Sequence, residues 1–101
     1  METDIRIQFQ FSSKPWKHAG AGGWHFVSLP VKLSREIRSL FRTEEGGWGR
    51  LPATARINDS KWKTAIWFDS KLNTYLLPLK EEIRKAEQVA AGKTITVSIY
   101  I

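Results

Sequence analysis

A chain of 101 residues, 42% of them hydrophobic and 12% aromatic, carries enough apolar surface for one core, too little for two, and too much for a disordered tail. The absence of cysteine removes disulfides, thiolate chemistry and Cys-ligated zinc or iron-sulfur sites from consideration. Sixteen Lys and Arg against ten Asp and Glu leave a formal charge of +6, which favours polyanionic partners over basic ones, although such a charge also serves solubility alone.

Met1-Glu2-Thr3-Asp4 lacks a basic start and an apolar run, so no secretory signal or membrane span is expected, and the default is a cytoplasmic protein of bacterial type. Ile5, Ile7, Phe9 and Phe11 then alternate with Arg6, Gln8 and Gln10, which predicts a half-buried strand. Ser12 to Gly23 reads as a long turn or hairpin loop containing Pro15 and the run Ala19-Gly20-Ala21-Gly22-Gly23. That run is not a dinucleotide fingerprint, because it lacks the last glycine and leads into a strand. Trp24 to Leu29 is the second predicted strand, stopped by Pro30.

Ser34 is the expected N-cap of a helix running to Arg42, with Glu36 in its first turn and Leu33, Ile37, Leu40 and Phe41 on one apolar face. Arg50 to Ile57 is a third strand whose Pro52 requires an edge or a ladder-free position. After the Asn58-Asp59-Ser60 turn, Lys61 to Asp69 is a fourth strand with Trp62, Thr64, Ile66 and Phe68 on one face and Lys61, Lys63, Ala65, Trp67 and Asp69 on the other. Ser70 to Asn73 turns the chain, Tyr75 to Leu77 is a strand ended by Pro78, and a second helix buries Leu79, Ile83, Ala86 and Ala90 before Gly92 ends it. Thr94 to Ile101 alternates Ile95, Val97, Ile99 and Ile101 with polar residues, so the chain stops inside an apolar strand: either paired in the sheet or cut from something longer.

The unit of strand, Leu-Pro and helix occurs twice, as Trp24-His25-Phe26-Val27-Ser28-Leu29-Pro30 before the first helix and Thr74-Tyr75-Leu76-Leu77-Pro78 before the second, with Glu36-Ile37-Arg38 matching Glu82-Ile83-Arg84. Neither half can bury its apolar face alone. The expectation is one mainly β domain over residues 1–101, a small double-split β-barrel with internal pseudo-two-fold symmetry and two short helices.

Three stretches, Trp24 to Pro30, Trp62-Lys63-Thr64-Ala65-Ile66-Trp67, and Tyr75-Leu76-Leu77-Pro78-Leu79-Lys80 with Arg84-Lys85-Ala86-Glu87, resemble the bacterial family known as domain of unknown function nineteen-oh-five. The resemblance spans nearly the whole chain and implies a double-split barrel with no established activity, sometimes beside a second domain similar to bacteriocin-protection proteins. The C-terminal unit also resembles, in part, the looped-hinge corner of AbrB-type regulators, which bind DNA as interlocked dimers. Here Lys93 stands after Gly92 where those regulators carry an acidic residue, and the unit is already duplicated within one chain.

No cluster specifies a reaction, and a non-enzymatic binding module is expected. Lys61, Lys63 and Trp67 share one strand face, with Arg50, Arg56 and Trp48 expected across the preceding hairpin: cations for phosphates beside a ring for base stacking, as single-stranded nucleic acid requires. The competing arrangement buries Trp67 under a helix with the lysines snorkelling past it. Arg38 and Arg84 are candidate phosphate contacts at the ends of the two helices, against the plainer reading of solvated faces. Trp24, Trp48 and Trp62, with Trp67, could converge on a pocket for a small apolar or cationic ligand.

His18 reads as a loop residue and His25 as a hydrogen-bonded, half-buried one; no metal or cofactor is expected. Asp59 with Asp69 and Glu44 with Glu45 are the nearest approaches to paired carboxylates; turn chemistry accounts for Asp59 and a helix end for the glutamates. Ser28, Ser60, Ser70 and Ser98 have no nucleophile-elbow setting. Nucleic acid or another polyanion, or a protein partner within a larger stress or bacteriocin-protection protein, are the expected partners of what is most simply a monomer, with no membrane role.

Overall fold

The computed structural model describes residues 6–20 and 22–101. Its elements are β1 (Gln8–Ser13), β2 (Trp16–Lys17), β3 (His25–Ser28), α1 (Val31–Phe41), β4 (Arg50–Ile57), β5 (Ser60–Asp69), β6 (Thr74–Pro78), α2 (Glu81–Ala86) and β7 (Ile95–Tyr100), with 3-10 turns at Arg42–Glu44 and Gly47–Gly49. All seven strands form one sheet in the order β1-β7-β4-β5-β6-β3-β2, every pair antiparallel. The two strands at the ends of that order, β1 and β2, are separated in the chain by Lys14 and Pro15 alone. Three peptide units span at most about 11 Å, so the sheet has to curl until its two ends nearly meet. The result is a barrel-like roll, mainly β.

Strict alternation on the long strands decides which face is inside. Leu51, Ala53, Ala55 and Ile57 of β4, Trp62 and Ile66 of β5, Val97 and Ile99 of β7, and Phe9 and Phe11 of β1 all enter one core cluster. Each fully buried Leu, Ile or Val contributes about 1.5–3 kcal/mol. Ile37 of α1 and Ile83 of α2 join that core, as do Leu29 and Leu79 in the two strand-to-helix corners. Pro52 faces Ala65 of β5 but lies beyond the β7 ladder, which reaches only Thr54, Ala55 and Arg56, so the missing N–H costs no sheet bond on that side.

β3 and β6 pair about Val27 and Leu77, flanked by reciprocal bonds from Leu29 N–H to the Tyr75 carbonyl (2.9 Å) and from Leu79 N–H to the His25 carbonyl (2.8 Å). Helix α1 starts at Val31 and α2 at Glu81, each the same distance beyond this pair. Pro30 therefore corresponds to Lys80, both accepting the first helical N–H, whereas Pro78 is still inside β6. The two Leu-Pro steps are out of register with each other, and Arg38 does not correspond to Arg84.

Several expectations are corrected. Ile7 is exposed, Phe9 and Phe11 are inside, and Ile5, like the opening Met1 to Asp4, lies outside the described residues. The expected loop after Ser12 contains β2, whose Trp16 pairs with Phe26. Ser34 does not cap α1: the helix starts at Val31 without a side-chain cap, and buried Ser34 accepts the Tyr75 backbone N–H through its Oγ (3.0 Å), joining helix to sheet. Leu40 is exposed. α2 stops at Ala86, and Ala86 and Ala90 face solvent. Its end is a Schellman turn, with Gln88 N–H bonded to Lys85 O, Val89 N–H bonded to Arg84 O, and Gln88 at φ 53°, so a non-glycine residue occupies the left-handed position well before Gly92.

Candidate functional site

On the outward face of β4 and β5, cross-strand register sets Arg50 opposite Trp67, Thr54 opposite Lys63 and Arg56 opposite Lys61. Both lysines and both arginines are exposed. The Arg50 guanidinium stands 5.9 Å from the Trp67 ring, and the Lys61 ammonium stands 5.2 Å from the ring of Tyr100, which is paired with Thr54 from the β7 side. Arg6 adds a fifth cation, donating to Thr54 Oγ1 at 2.6 Å. β1, β4 and β7 contain no Asp or Glu, and β5 contains only Asp69 at its far end. The face is thus a cationic strip with one indole at its border. Trp67 lies under no helix and is 37% exposed, so the buried arrangement weighed for it does not hold.

Beyond Trp67 the outer surface changes character. The register steps from Trp67 to Leu76 on β6, from Pro78 to Phe26 on β3, and from Phe26 to Trp16 on β2. These residues, with Trp24, His18 and Asp69, line a groove of about 490 Å³. Phe26 is the centre of a pile of rings: Trp24 is stacked on it at 6.1 Å between centroids and 11° between planes, Trp16 lies at 5.2 Å, and His18 meets it edge-on at 6.4 Å. Trp16 is fixed by its Nε1–H donating to Ser28 Oγ at 2.9 Å. Trp24 is 57% exposed.

Trp62 does not share this groove. It is 8% exposed and belongs to the core, because even-numbered positions of β5 face inward; it lines a neighbouring cleft with Trp24, Lys63, Lys80 and Arg84. Of the four indoles expected to converge, Trp24 and Trp67 line the aromatic groove, and Trp48 and Trp62 do not.

Trp48 is 90% exposed at the tip of the segment between α1 and β4, with φ 65°, a left-handed conformation that costs a non-glycine residue about 1–2 kcal/mol. The segment is pinned on both sides of it. Ahead, the Glu45 carboxylate accepts the Tyr75 hydroxyl proton and approaches Arg38 Nε at 3.6 Å, its own side chain 8% exposed. Behind, Gly49 has φ 67° and backs onto Phe68, where a Cβ would meet the Phe68 Cβ at 3.1 Å. Trp48 and Trp67 line one shallow depression with Phe68, Asp69 and Leu76.

Arg38 is engaged within the fold. Its guanidinium lies over the Phe68 ring at 3.7 Å and beside Glu45, and Phe68 in turn meets the fully buried Tyr75 edge-on at 5.2 Å. Burial first, and then the bond to Glu45, raise the Tyr75 phenol well above the ordinary tyrosine value. Glu45, expected to serve a helix end, is the carboxylate of this inner clasp. Arg84 is half-buried and its Nε donates to Leu79 O at 3.0 Å, which ties it to the corner of α2, where it lines a cleft shared with Lys63.

His25 is half-buried with Nδ1 2.8 Å from Gly23 O, as expected. Asp69 Oδ1 accepts the backbone N–H groups of Lys71 (2.9 Å) and Leu72 (3.1 Å), a turn role for Asp69 that the sequence does not announce. Among the described residues no three His, Asp or Glu side chains gather in a metal-holding group, and no helix is long and apolar enough to cross a membrane. Trp16, Phe26 and the groove position of His18 escaped the sequence reading. Their signal was present in the aromatic spacing on either side of the glycine run, which the Trp16–Phe26 pairing turns into one face.

The model of a family described as a domain of unknown function, DUF1905, matches residues 11–99, nearly the whole chain, and the protein belongs to that family. No curated protein matches the sequence.

Proposed function

We propose that this protein is a non-enzymatic binding module whose β4–β5 face takes single-stranded nucleic acid. The observation that carries the reading is the exposed Trp67 ring beside Arg50, on the same strand face as Lys61 and Lys63 and with no carboxylate of the described β4 and β5 residues interleaved among them. Cations neutralise the backbone while an indole stacks on any base, an arrangement that tolerates sequence and favours separated strands over duplex. Trp48, held out in a strained conformation by the pinned segment, supplies a second stacking ring across the shared depression. The reciprocal β3–β6 pairing, with a helix leaving each strand at the same offset, supports a double-split barrel in which one chain imitates two halves.

Fluorescence anisotropy with a labelled random-sequence oligonucleotide tests the reading across a salt series. About four phosphate contacts on a single strand give a slope of log K against log salt near −3. No binding at the lowest salt, or equal binding by the Lys61→Glu/Lys63→Glu double variant, would overturn it.

A further inference from the structure

We propose that the groove between Trp67 and the ring pile on Phe26 is a separate site for a free, small quaternary ammonium compound. The inference stands apart from the nucleic-acid reading, because it rests on what the groove excludes. In a protein of formal charge +6, no lysine or arginine among the described residues lines it; of those residues Asp69 is its one carboxylate and His18 its one histidine. Four aromatic side chains, Trp16, Trp24, Phe26 and Trp67, supply its walls. Ring faces carry the negative part of the aromatic quadrupole, and a carboxylate beside them completes an environment suited to a cation.

Asp69 is also fixed in place. Its Oδ1 is occupied by the Lys71 and Leu72 N–H groups, while Oδ2 takes no hydrogen bond among the described residues and is left for a ligand. The Trp67 ring already draws one cation, Arg50, from the β4 side; the groove opens on the β6 side of the same strand, where Leu76 and Pro78 form the floor. An alkylated ammonium fits this lining better than a primary amine does, because its methyl groups match apolar walls and it has no N–H donors that the walls would leave unsatisfied. A phosphate-bearing ligand would meet Asp69 as a like charge. A volume of about 490 Å³ lies in the range of small-ligand sites.

The test is a tryptophan-fluorescence titration of the intact protein with choline and, in parallel, with its uncharged carbon isostere, in which a tert-butyl group replaces the trimethylammonium. Choline is expected to give a saturable change, and the isostere to bind at least about tenfold more weakly. Asp69→Asn keeps an acceptor for Lys71 and Leu72 and removes the charge, so the turn persists while choline affinity falls about tenfold and isostere affinity does not change. Lys61→Glu/Lys63→Glu leaves choline binding intact even where it abolishes oligonucleotide binding, so the two readings fail separately. Equal affinity for choline and isostere, an Asp69→Asn variant that binds choline as well as the parent, or no spectral change with either compound would overturn the site. Binding of a trimethyllysine peptide at least about tenfold tighter than choline would overturn the free small ligand as its occupant.

Discussion

Replacing Tyr75 by Phe removes one oxygen from the inner clasp and little else. The ring stays edge-on to Phe68, and the backbone N–H stays on Ser34 Oγ, so packing and the α1 junction are conserved. What disappears is the hydroxyl donor to Glu45, whose nearly buried carboxylate is then left with Arg38 Nε at 3.6 Å, beyond hydrogen-bond reach. A hydrogen bond to a charged group is worth about 1.5–3 kcal/mol net, and an unsatisfied buried partner puts the loss in the upper half of that range, about 2 kcal/mol or more. For a domain of this size that lowers Tm by roughly 8–16 °C.

Urea unfolding followed by far-UV circular dichroism reads the loss directly, as a lower midpoint at an unchanged slope. The same variant also changes the alkaline behaviour. Because the folded phenol sits above its ordinary value, the unfolded chain releases that proton first as pH rises past about 10, and stability then falls by about 1.4 kcal/mol per pH unit. Tyr75→Phe lacks that component, so the gap between parent and variant narrows above about pH 10 and is full below it. A variant within about 0.5 kcal/mol of the parent at neutral pH would refute the clasp as a stabilising contact.

Trp67→Ala is expected to weaken oligonucleotide binding by about 1–3 kcal/mol with stability almost unchanged, whereas Trp62→Ala costs about 3–5 kcal/mol of stability, a contrast that paired anisotropy and urea titrations check. Losing Lys61 and Lys63 together flattens the salt slope by about 1.4, read from the same anisotropy series. Gln88→Gly relieves the left-handed strain at the end of α2 and raises stability by up to about 1 kcal/mol, seen as a higher urea midpoint. Trp48→Gly acts in the same direction on stability while weakening oligonucleotide binding, the signature of a ring displayed at the expense of its backbone.

β4, β5 and β7 were legible in the sequence because period-two alternation acts through the pleat itself, and their inward sets, Leu51 to Ile57 and Val97 to Ile99, need no knowledge of the rest of the fold. Ser34 shows where that logic ends. A serine before an apolar stripe looks the same whether it caps the helix or turns inward to hold Tyr75, forty-one positions away in the chain, and only the packing of α1 on β6 decides. Gln88 ends α2 without a glycine to announce it, so the sequence pattern runs on past the true end of the helix. The repeated Leu-Pro step suggested a correspondence that the β3–β6 pairing shifts, because the hydrogen-bond register, not the proline, sets where each helix leaves the sheet. The cationic strip could be read from strand parity. The aromatic groove could not, since it depends on the two-residue strand β2, too short to show any alternation.

Gln8 lies beside Tyr100, and the strand that carries Gln8 turns at Pro15 to reach the opposite end of the sheet. A growing chain therefore cannot pair β1 with β7 until residue 100 has been made, and β1 waits for that neighbour while everything between is synthesised. Pairings so distant along the chain make assembly slow, on the order of milliseconds to seconds, and leave Phe9 and Phe11 uncovered for the whole of that wait. The alternating glutamines Gln8 and Gln10 offer them no charged protection against other chains.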